Sequence, residues 1–257
     1  MDGRILTERR EAVTIVTISA PEVRNAISAQ LREQLHETML ALQSDKACRA
    51  IVLRGAGGTF CAGGDVRALG SASASSMRDR LMAAHRLIKL LLTSPKPVVA
   101  AVDGYAYGAG LSLAVACDLL ITQPSAKMCS AFGKVGLIPD LGLLWTLPQK
   151  IGAGPAKRMM LTSNPVDGIE AHRIGLADAL ADEGDVQNLA LRQAQHLGDI
   201  APLSVAQTKL ALLNAGDDLD RMLQGEIETQ LHLLATQDHA EGREAFVQKR
   251  KPIFTGR

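Results

Sequence analysis

Residues 60–66 (FCAGGDV) and residues 104–113 (GYAYGAGLSL) are two glycine-rich segments that decide how this chain folds. Each follows a short apolar stretch, residues 50–54 (AIVLR) for the first and residues 98–102 (VVAAV) for the second. Short apolar runs that end near glycines are typical of buried strands. The second segment continues into residues 108–116, which we predict to be a buried helix. The two segments therefore indicate strand–loop–helix units of an α/β fold.

The backbone of both segments is accessible to a ligand. Gly63 and Gly64 allow conformations that other residues resist, and Ala62 and Ala109 carry almost no side chain. The N–H groups in the first turn of a helix lack intrahelical partners and lie at the positive end of the helix dipole. We predict that one N–H group from each segment binds the same carbonyl oxygen, which is the arrangement of an oxyanion hole.

Two alternatives for these segments follow from the residues. The first is that both are glycine turns selected for tight packing. The second is a dinucleotide-binding GxGxxG loop. It is disfavoured because no third glycine follows Gly108-Ala109-Gly110, and no acidic residue ends a following strand at the expected place.

Periodicity extends the α/β pattern on both sides of the two segments. Alternating β-branched residues predict a strand over residues 12–19, and an apolar run predicts another over residues 119–122. Apolar residues at helical spacing predict one helix that Ser28 caps. A second helix is predicted from Met77, after a mobile loop at residues 71–76 (SASASS).

After about residue 150 the pattern changes from strands that alternate with helices to mostly helical segments. Residues 1–197 are predicted to form the α/β core and residues 198–257 a helical region. Asp238 and Glu241 resemble a capping box before the last helix. An amphipathic helix that finds no local surface to cover often packs on a neighbouring subunit, so we expect an oligomer. Helices are predicted at residues 184–199, 202–215, 217–236 and 239–250.

Composition excludes several classes of protein. The chain has 257 residues, 47% of them hydrophobic, and its net charge of +1 gives no general attraction to nucleic acid or anionic membranes. The four cysteines form no CxxC pair, which favours a reduced, cytoplasmic protein. No secretory signal or membrane-spanning segment is predicted, because the longest apolar run is broken by Asp103 and glycines. The six histidines show no metal-ligand spacing, so no metal site is predicted.

Five ordered motifs resemble the enoyl-CoA hydratase/isomerase (crotonase) superfamily, and the resemblance covers nearly the whole chain. Residues 21–26 (PEVRNA) resemble P-x-x-R/K-N-A, and residues 60–65 resemble F-x-A-G-x-D. Residues 97–118 resemble the glycine-rich motif that ends in C-D. Residues 136–140 (GLIPD) resemble G-L-x-P-D/E, and residues 246–251 (FVQKRK) resemble the closing F-x-x-K-R-x.

The resemblance implies a spiral of ββα units, with a C-terminal helical region that forms trimers, often paired into hexamers. It implies an acyl-CoA thioester substrate and no separate cofactor, since coenzyme A is part of the substrate. The N–H groups of Ala62 and Ala109 would hold the thioester oxygen and stabilise an enolate. The residues implied to bind CoA are Arg24, Ala26, Ala62, Gly63, Gly64 and Asp65, with Phe246 and Lys249 reaching it from the adjacent subunit.

The residues that move protons decide which reaction the resemblance implies. Hydratases of the superfamily use two glutamates, but this chain has Ser112 at the first position and aligns Phe132 with the second. Asp140 follows Pro139 where isomerases of the superfamily place a lone carboxylate. One carboxylate suffices to move a double bond from position 3 to position 2. We therefore predict an isomerase with Asp140 as proton shuttle, similar to 3-enoyl-CoA and 1,2-epoxyphenylacetyl-CoA isomerases.

Other roles for Asp140 and other functions of the protein are also consistent with the sequence. Asp140 is also placed to cap a helix that runs to about Ile151, and His85 with Asp140 would fit a dehalogenase of the superfamily. A hydratase and a CoA-thioester-binding protein with little catalysis are the other candidate functions. The predicted acyl channel, whose apolar residues would raise the pKa of Asp140, consists of Leu137, Ile138, Leu141, Leu143, Leu144 and Trp145.

Overall fold

A computed structural model describes residues 3–65, 73–215 and 218–257 of the chain. In chain order the strands are β1 (Arg4–Arg10), β2 (Val13–Ser19), β3 (Ala50–Gly55), β4 (Val98–Val102), β5 (Tyr105–Tyr107), β6 (Leu119–Thr122), β7 (Lys127–Cys129), β8 (Val166–Asp167) and β9 (Ala179–Leu180). The helices are α1 (Ala29–Ser44), α2 (Ala74–Thr93), α3 (Ala109–Val115), α4 (Leu143–Ile151), α5 (Ala153–Thr162), α6 (Gly168–Arg173), α7 (Val186–Gly198), α8 (Pro202–Leu213), α9 (Leu219–Leu234) and α10 (Gln237–Gln248).

The strands form two sheets. The larger has the order β1-β2-β3-β4-β6-β9, and its strands run parallel except for β1, which pairs antiparallel with β2. The smaller has the order β5-β7-β8. Strand β4 belongs to the larger sheet and β5 to the smaller. The chain therefore passes from one sheet to the other at residues 103–104, where the second glycine-rich segment begins.

Both faces of the larger sheet are buried. Val16, Ile18, Ile51 and Leu53 belong to the core on one face, which also contains residues of α1, α2 and α3. Alternate strand residues pack against α7 on the opposite face, with Val186, Ala190 and Ala194 as its buried residues. This double burial explains why β3 and β4 are continuous apolar runs.

A partly buried ion pair connects α8 to the residue that precedes β6. The Nζ atom of Lys209 lies 2.6 Å from Oδ2 of Asp118, which also accepts the N–H of Val98 at 2.7 Å. Burial raises the pKa of Asp118, and Lys209 acts against that rise. By contrast, α9 has no buried residue. No helix in the described parts of the chain is both long and apolar enough to cross a lipid bilayer.

The structure corrects two local predictions. Residues 71–72 of the predicted mobile loop lie outside the described residues, but Ser73 caps α2 by accepting the N–H of Ser76 at 3.2 Å. The capping box at Asp238 and Glu241 is also wrong. Thr236 caps α10, whereas the buried Asp238 carboxylate accepts N–H groups of the C-terminal tail, because it lies beneath that tail. The division of domains at residues 197 and 198 stays a prediction.

Candidate active site

The two glycine-rich segments pair with each other directly. The N–H of Cys61 donates to the carbonyl of Tyr105 at 2.9 Å, and the N–H of Tyr107 donates to the carbonyl of Cys61 at 3.0 Å. Cys61 and Ala106 thus form a parallel β-bridge. A Cβ atom on Gly110 would lie 2.1 Å from the carbonyl oxygen of Cys61. Only glycine fits where α3 approaches the first segment this closely.

The backbone N–H groups near this junction differ in their availability. Ala62 donates its N–H to the carbonyl of Arg24 at 3.0 Å, so the predicted donor is already engaged. The prediction of Ala62 as a free donor is therefore corrected. The N–H groups of Gly64 and of Ala109, the first residue of α3, make no hydrogen bond to any residue that the structure describes.

A cavity of about 330 Å³ opens beside Gly64. It is lined by Arg24, Ala26, Gly64 and Asp65, four of the residues implied to bind CoA. Gly3, Ala20, Glu22, Val23, Ser28 and Leu31 complete the lining. Two distant segments of sequence therefore meet at one cavity, as the motifs imply.

Asn25 holds the turn that places Arg24 and Ala26 at this cavity. Its buried side chain accepts the N–H of Ala20 at 2.9 Å and donates to the carbonyls of Ala56 and Thr59 at 2.8 and 2.6 Å. Arg24 and Asn25 both have positive φ angles, 52° and 57°. Asparagine tolerates this conformation better than most residues. Asn25 belongs to the PEVRNA motif, but the motif alone does not predict this role.

Asp140 lies on the loop before α4, next to the start of α3. Its carbonyl oxygen accepts the hydroxyl of Ser112 at 3.1 Å, which ties the loop to α3. The carboxylate does not cap α4, because the N-cap residue is Gly142 and no side chain caps the helix. Its Oδ1 atom is buried without a hydrogen-bond partner. Burial raises the pKa of Asp140 to about 6, although nearby His85 and Arg32 act to lower it.

Comparison with known proteins decides the family. The protein-family model described as enoyl-CoA hydratase/isomerase matches residues 8–257 of this chain. The chain belongs to the enoyl-CoA hydratase/isomerase family. It is 34% identical to 1,2-epoxyphenylacetyl-CoA isomerase of Escherichia coli (strain K12), over 98% of each chain. It is 36% identical to a probable enoyl-CoA hydratase of Rhodobacter capsulatus, over 97% of each chain.

Solved structures confirm the predicted crotonase-like α/β fold. The crystal structure of an enoyl-CoA hydratase from Polaromonas sp. JS666 superposes with a TM-score of 0.94 at 31% identity, covering 98% of this chain and 100% of that one. An enoyl-CoA hydratase from Bacillus anthracis also gives 0.94, at 28% identity and with 99% and 100% coverage. The family and the fold are therefore shown, and its members include both isomerases and hydratases.

In this family member, the positions that resemble the two hydratase glutamates carry no carboxylate. Ser112 is buried, and its hydroxyl donates to the carbonyl of Asp140 at 3.1 Å, with the carbonyl of Gly108 3.3 Å away. Phe132 is buried, and its ring lies 3.9 Å from where a Cβ atom on Gly108 would be. Both side chains thus lie beside the paired segments, and Asp140 lies close to them.

Other predicted site residues lie apart from this cavity. Phe246 is 85% exposed at the end of α10, and Lys249 follows it with a φ of 55°. Neither lines the cavity within one chain, and neither does Gly63, which is buried. Of the predicted acyl channel, Leu141 and Leu143 pack in the core, while its other residues are exposed on the single chain, namely Leu137, Ile138, Leu144 and Trp145.

Two basic residues near Asp140 complete the electrostatic environment. His85 on α2 is exposed, and Arg32 on α1 is half-buried. His85 is the alternative catalytic residue predicted from the sequence, whereas no role is predicted there for Arg32. No group of three or more His, Cys, Asp or Glu side chains within the described ranges is arranged to hold a metal ion.

Proposed function

We propose that this protein isomerises the double bond of enoyl-CoA thioesters, with Asp140 as the only proton carrier. The observation that carries the proposal is the Asp140 carboxylate. It is partly buried, its Oδ1 atom is buried without a hydrogen-bond partner, and burial raises its pKa to about 6. A general base works best when its pKa lies near the working pH. The serine and phenylalanine at positions 112 and 132 supply no carboxylate where the hydratases of the superfamily carry their two glutamates.

The oxyanion hole in this proposal uses Gly64 and Ala109. Both N–H groups lack acceptors among the described residues, and the hydrogen bonds between the two segments hold them in one region of the molecule. Gly64 replaces the predicted Ala62, whose N–H is bound to Arg24. Two donors aimed at the thioester oxygen would stabilise the negative charge that the enolate develops there.

The proton balance of the reaction requires one base. The ionised Asp140 removes a proton from the carbon next to the thioester carbonyl, and the electron pair delocalises onto the carbonyl oxygen as the enolate forms. The carboxylic acid then returns the proton to the carbon at the far end of the original double bond. The carbonyl re-forms, the double bond moves next to it, and Asp140 is again ionised.

CoA is proposed to occupy the 330 Å³ cavity through Arg24, Ala26, Gly64 and Asp65. Phe246 and Lys249 would reach it from a neighbouring subunit, since both are exposed on the single chain. Coenzyme A enters as part of the substrate, and no separate cofactor is proposed. We also place the enzyme in the cytoplasm, because all four cysteines are free and buried.

Hydration is the second candidate, because several relatives are described as hydratases. A hydratase would need Asp140 to activate water without a second carboxylate. A CoA-thioester-binding protein with little catalysis is the third. It predicts tight binding of enoyl-CoA without turnover, whereas hydration predicts a product that is heavier by one water.

The pH dependence of isomerisation tests the role of Asp140. Asp140 must be ionised to remove a proton, and its pKa lies at about 6. We therefore expect kcat/KM for trans-3-hexenoyl-CoA to rise through pH 6 and to level off above it. Below about pH 5 it should fall about tenfold for each pH unit. A stopped-flow or coupled assay measures the profile, and a rate that is flat between pH 5 and pH 7 would argue against this base.

Self-association of the chain is proposed from the apolar face of α9. Leu219, Leu223, Ile227, Leu231 and Leu234 are each at least 45% exposed. An exposed apolar face of this length marks an interaction surface. We expect light scattering on the purified protein to give the mass of three or six chains, and Ile227→Asp to lower that mass. A single-chain mass for the wild type would contradict the proposal.

A further inference from the structure

Arg32 lies in the first turns of α1, the helix whose N-terminal end is at the cavity proposed to bind CoA. Ser28 caps α1 and lines that cavity together with Leu31. Arg32 lies one turn further along and donates its backbone N–H to the carbonyl of Ser28 at 3.0 Å. Residues four apart share one side of a helix. Arg32 does not itself line the cavity, but it follows the lining residue Ser28 by one turn on the same side of α1.

The Nε atom of Arg32 is buried and has no hydrogen-bond partner in the described structure. Burial is the main reason that the pKa of Arg32 is lowered, and the charges of Arg80 and Arg86 add to this effect. Glu33 and Asp140 act in the opposite direction. A buried donor without a partner is rare in folded proteins and needs an explanation.

The nearby acidic groups do not satisfy Arg32. Glu33 faces Arg86 on α2, with 3.7 Å between Oε2 and Nη2. Asp140 is close enough to influence the pKa of Arg32, but its own Oδ1 atom is also unpartnered, so no Nε–Oδ1 bond joins the two side chains. The buried Nε–H donor of Arg32 and the buried Oδ1 acceptor of the proposed catalytic base, Asp140, thus both remain unpaired.

We propose that Arg32 is a specificity-determining residue that donates its Nε–H to a carboxylate at the far end of the acyl group. The preferred substrate would then be a CoA thioester of a dicarboxylic acid. This inference rests on the proposed function, since it places the acyl group between the CoA cavity and Asp140. A carboxylate is favoured over a neutral oxygen because the Arg32 guanidinium is itself positively charged, and a charge-assisted hydrogen bond is stronger than a neutral one.

Binding of two saturated thioesters of equal chain length tests the inference. Adipoyl-CoA carries a distal carboxylate and hexanoyl-CoA does not, and neither can be isomerised. Isothermal titration calorimetry on the wild type should give a Kd for adipoyl-CoA at least about tenfold lower than for hexanoyl-CoA. Arg32→Met should remove this preference and leave the Kd of hexanoyl-CoA within about twofold.

Two further variants keep the test decisive. Arg86→Met removes a neighbouring positive charge that already pairs with Glu33 and should retain most of the preference. Arg32→Gln keeps a polar side chain without the charge and serves if the methionine variant does not fold. Equal affinities in the wild type, or an unchanged preference in a folded Arg32 variant, would overturn the inference. Failure of the proposed function would give a different result from failure of this inference, because trans-3-hexenoyl-CoA would then bind without being isomerised.

Discussion

Asp140→Asn is expected to lower kcat for the isomerisation of trans-3-hexenoyl-CoA by about 10²- to 10⁴-fold, the usual contribution of a general base. Asparagine has nearly the same shape as aspartate but cannot accept and return a proton. The hydrogen bond from the Ser112 hydroxyl to the backbone carbonyl of residue 140 should persist, because the substitution changes only the side chain. KM should therefore change little. Steady-state kinetics on the wild type and the variant measure both constants.

Stability should move in the opposite direction from activity in Asp140→Asn. Burial raises the pKa of Asp140, so the folded state holds the proton more tightly than the unfolded chain does. The ionised carboxylate consequently opposes folding once the pH rises through about 6. The neutral amide avoids this cost, so the melting temperature at pH 7.5 should be unchanged or higher. Asp182→Asn, at an exposed position, is the matched control and should change neither property. Full activity in Asp140→Asn would refute its role.

Gly110→Ala should separate the two glycine-rich segments. The added Cβ atom would lie 2.1 Å from the carbonyl oxygen and 2.8 Å from the Cβ atom of Cys61. Backbone atoms cannot give way as a flexible side chain can, so either α3 or the first segment must move. Such overpacking costs about 1–3 kcal/mol or more of unfolding free energy. A displacement of about 1 Å at the proposed oxyanion hole should lower kcat by about 10²-fold or more.

Gly154→Ala provides the matched control for this substitution. Gly154 lies in α5, and a Cβ atom there would meet nothing within 4 Å. Alanine favours a helix over glycine by about 1 kcal/mol, so this variant should be as stable as the wild type or more stable. Chemical denaturation and activity assays compare the two variants. Wild-type activity and stability in Gly110→Ala would show that the close approach of α3 and Cys61 is not required.

The sequence predicts the central elements of the fold because their apolar patterns are strong. Strands β3 and β4 are continuous apolar runs buried on both faces, and α1 carries its buried residues at helical spacing. It does not reveal β1, because this edge strand is almost entirely exposed and its residues are mostly charged or polar. The short strands of the smaller sheet contain too few residues for a period to be recognised.

The candidate site is harder to predict because its donors depend on contacts between distant segments. Ala62 and Gly64 are both small residues in one loop, and only the hydrogen bond from Ala62 to Arg24 distinguishes them. Arg32 lies between buried Leu31 and Leu35 on an amphipathic helix, where arginine ordinarily faces water. Asp140 is different, since its place after Pro139 in the GLIPD motif could be recognised from the sequence.

The most decisive experiment identifies the product that the purified wild-type protein forms from trans-3-hexenoyl-CoA. Mass spectrometry gives the mass of the product, and NMR gives the position of the double bond. The expected result for an isomerase is a product of unchanged mass whose double bond lies next to the thioester carbonyl. A product that is heavier by one water without the 2-enoyl isomer, or binding without any conversion, would contradict it.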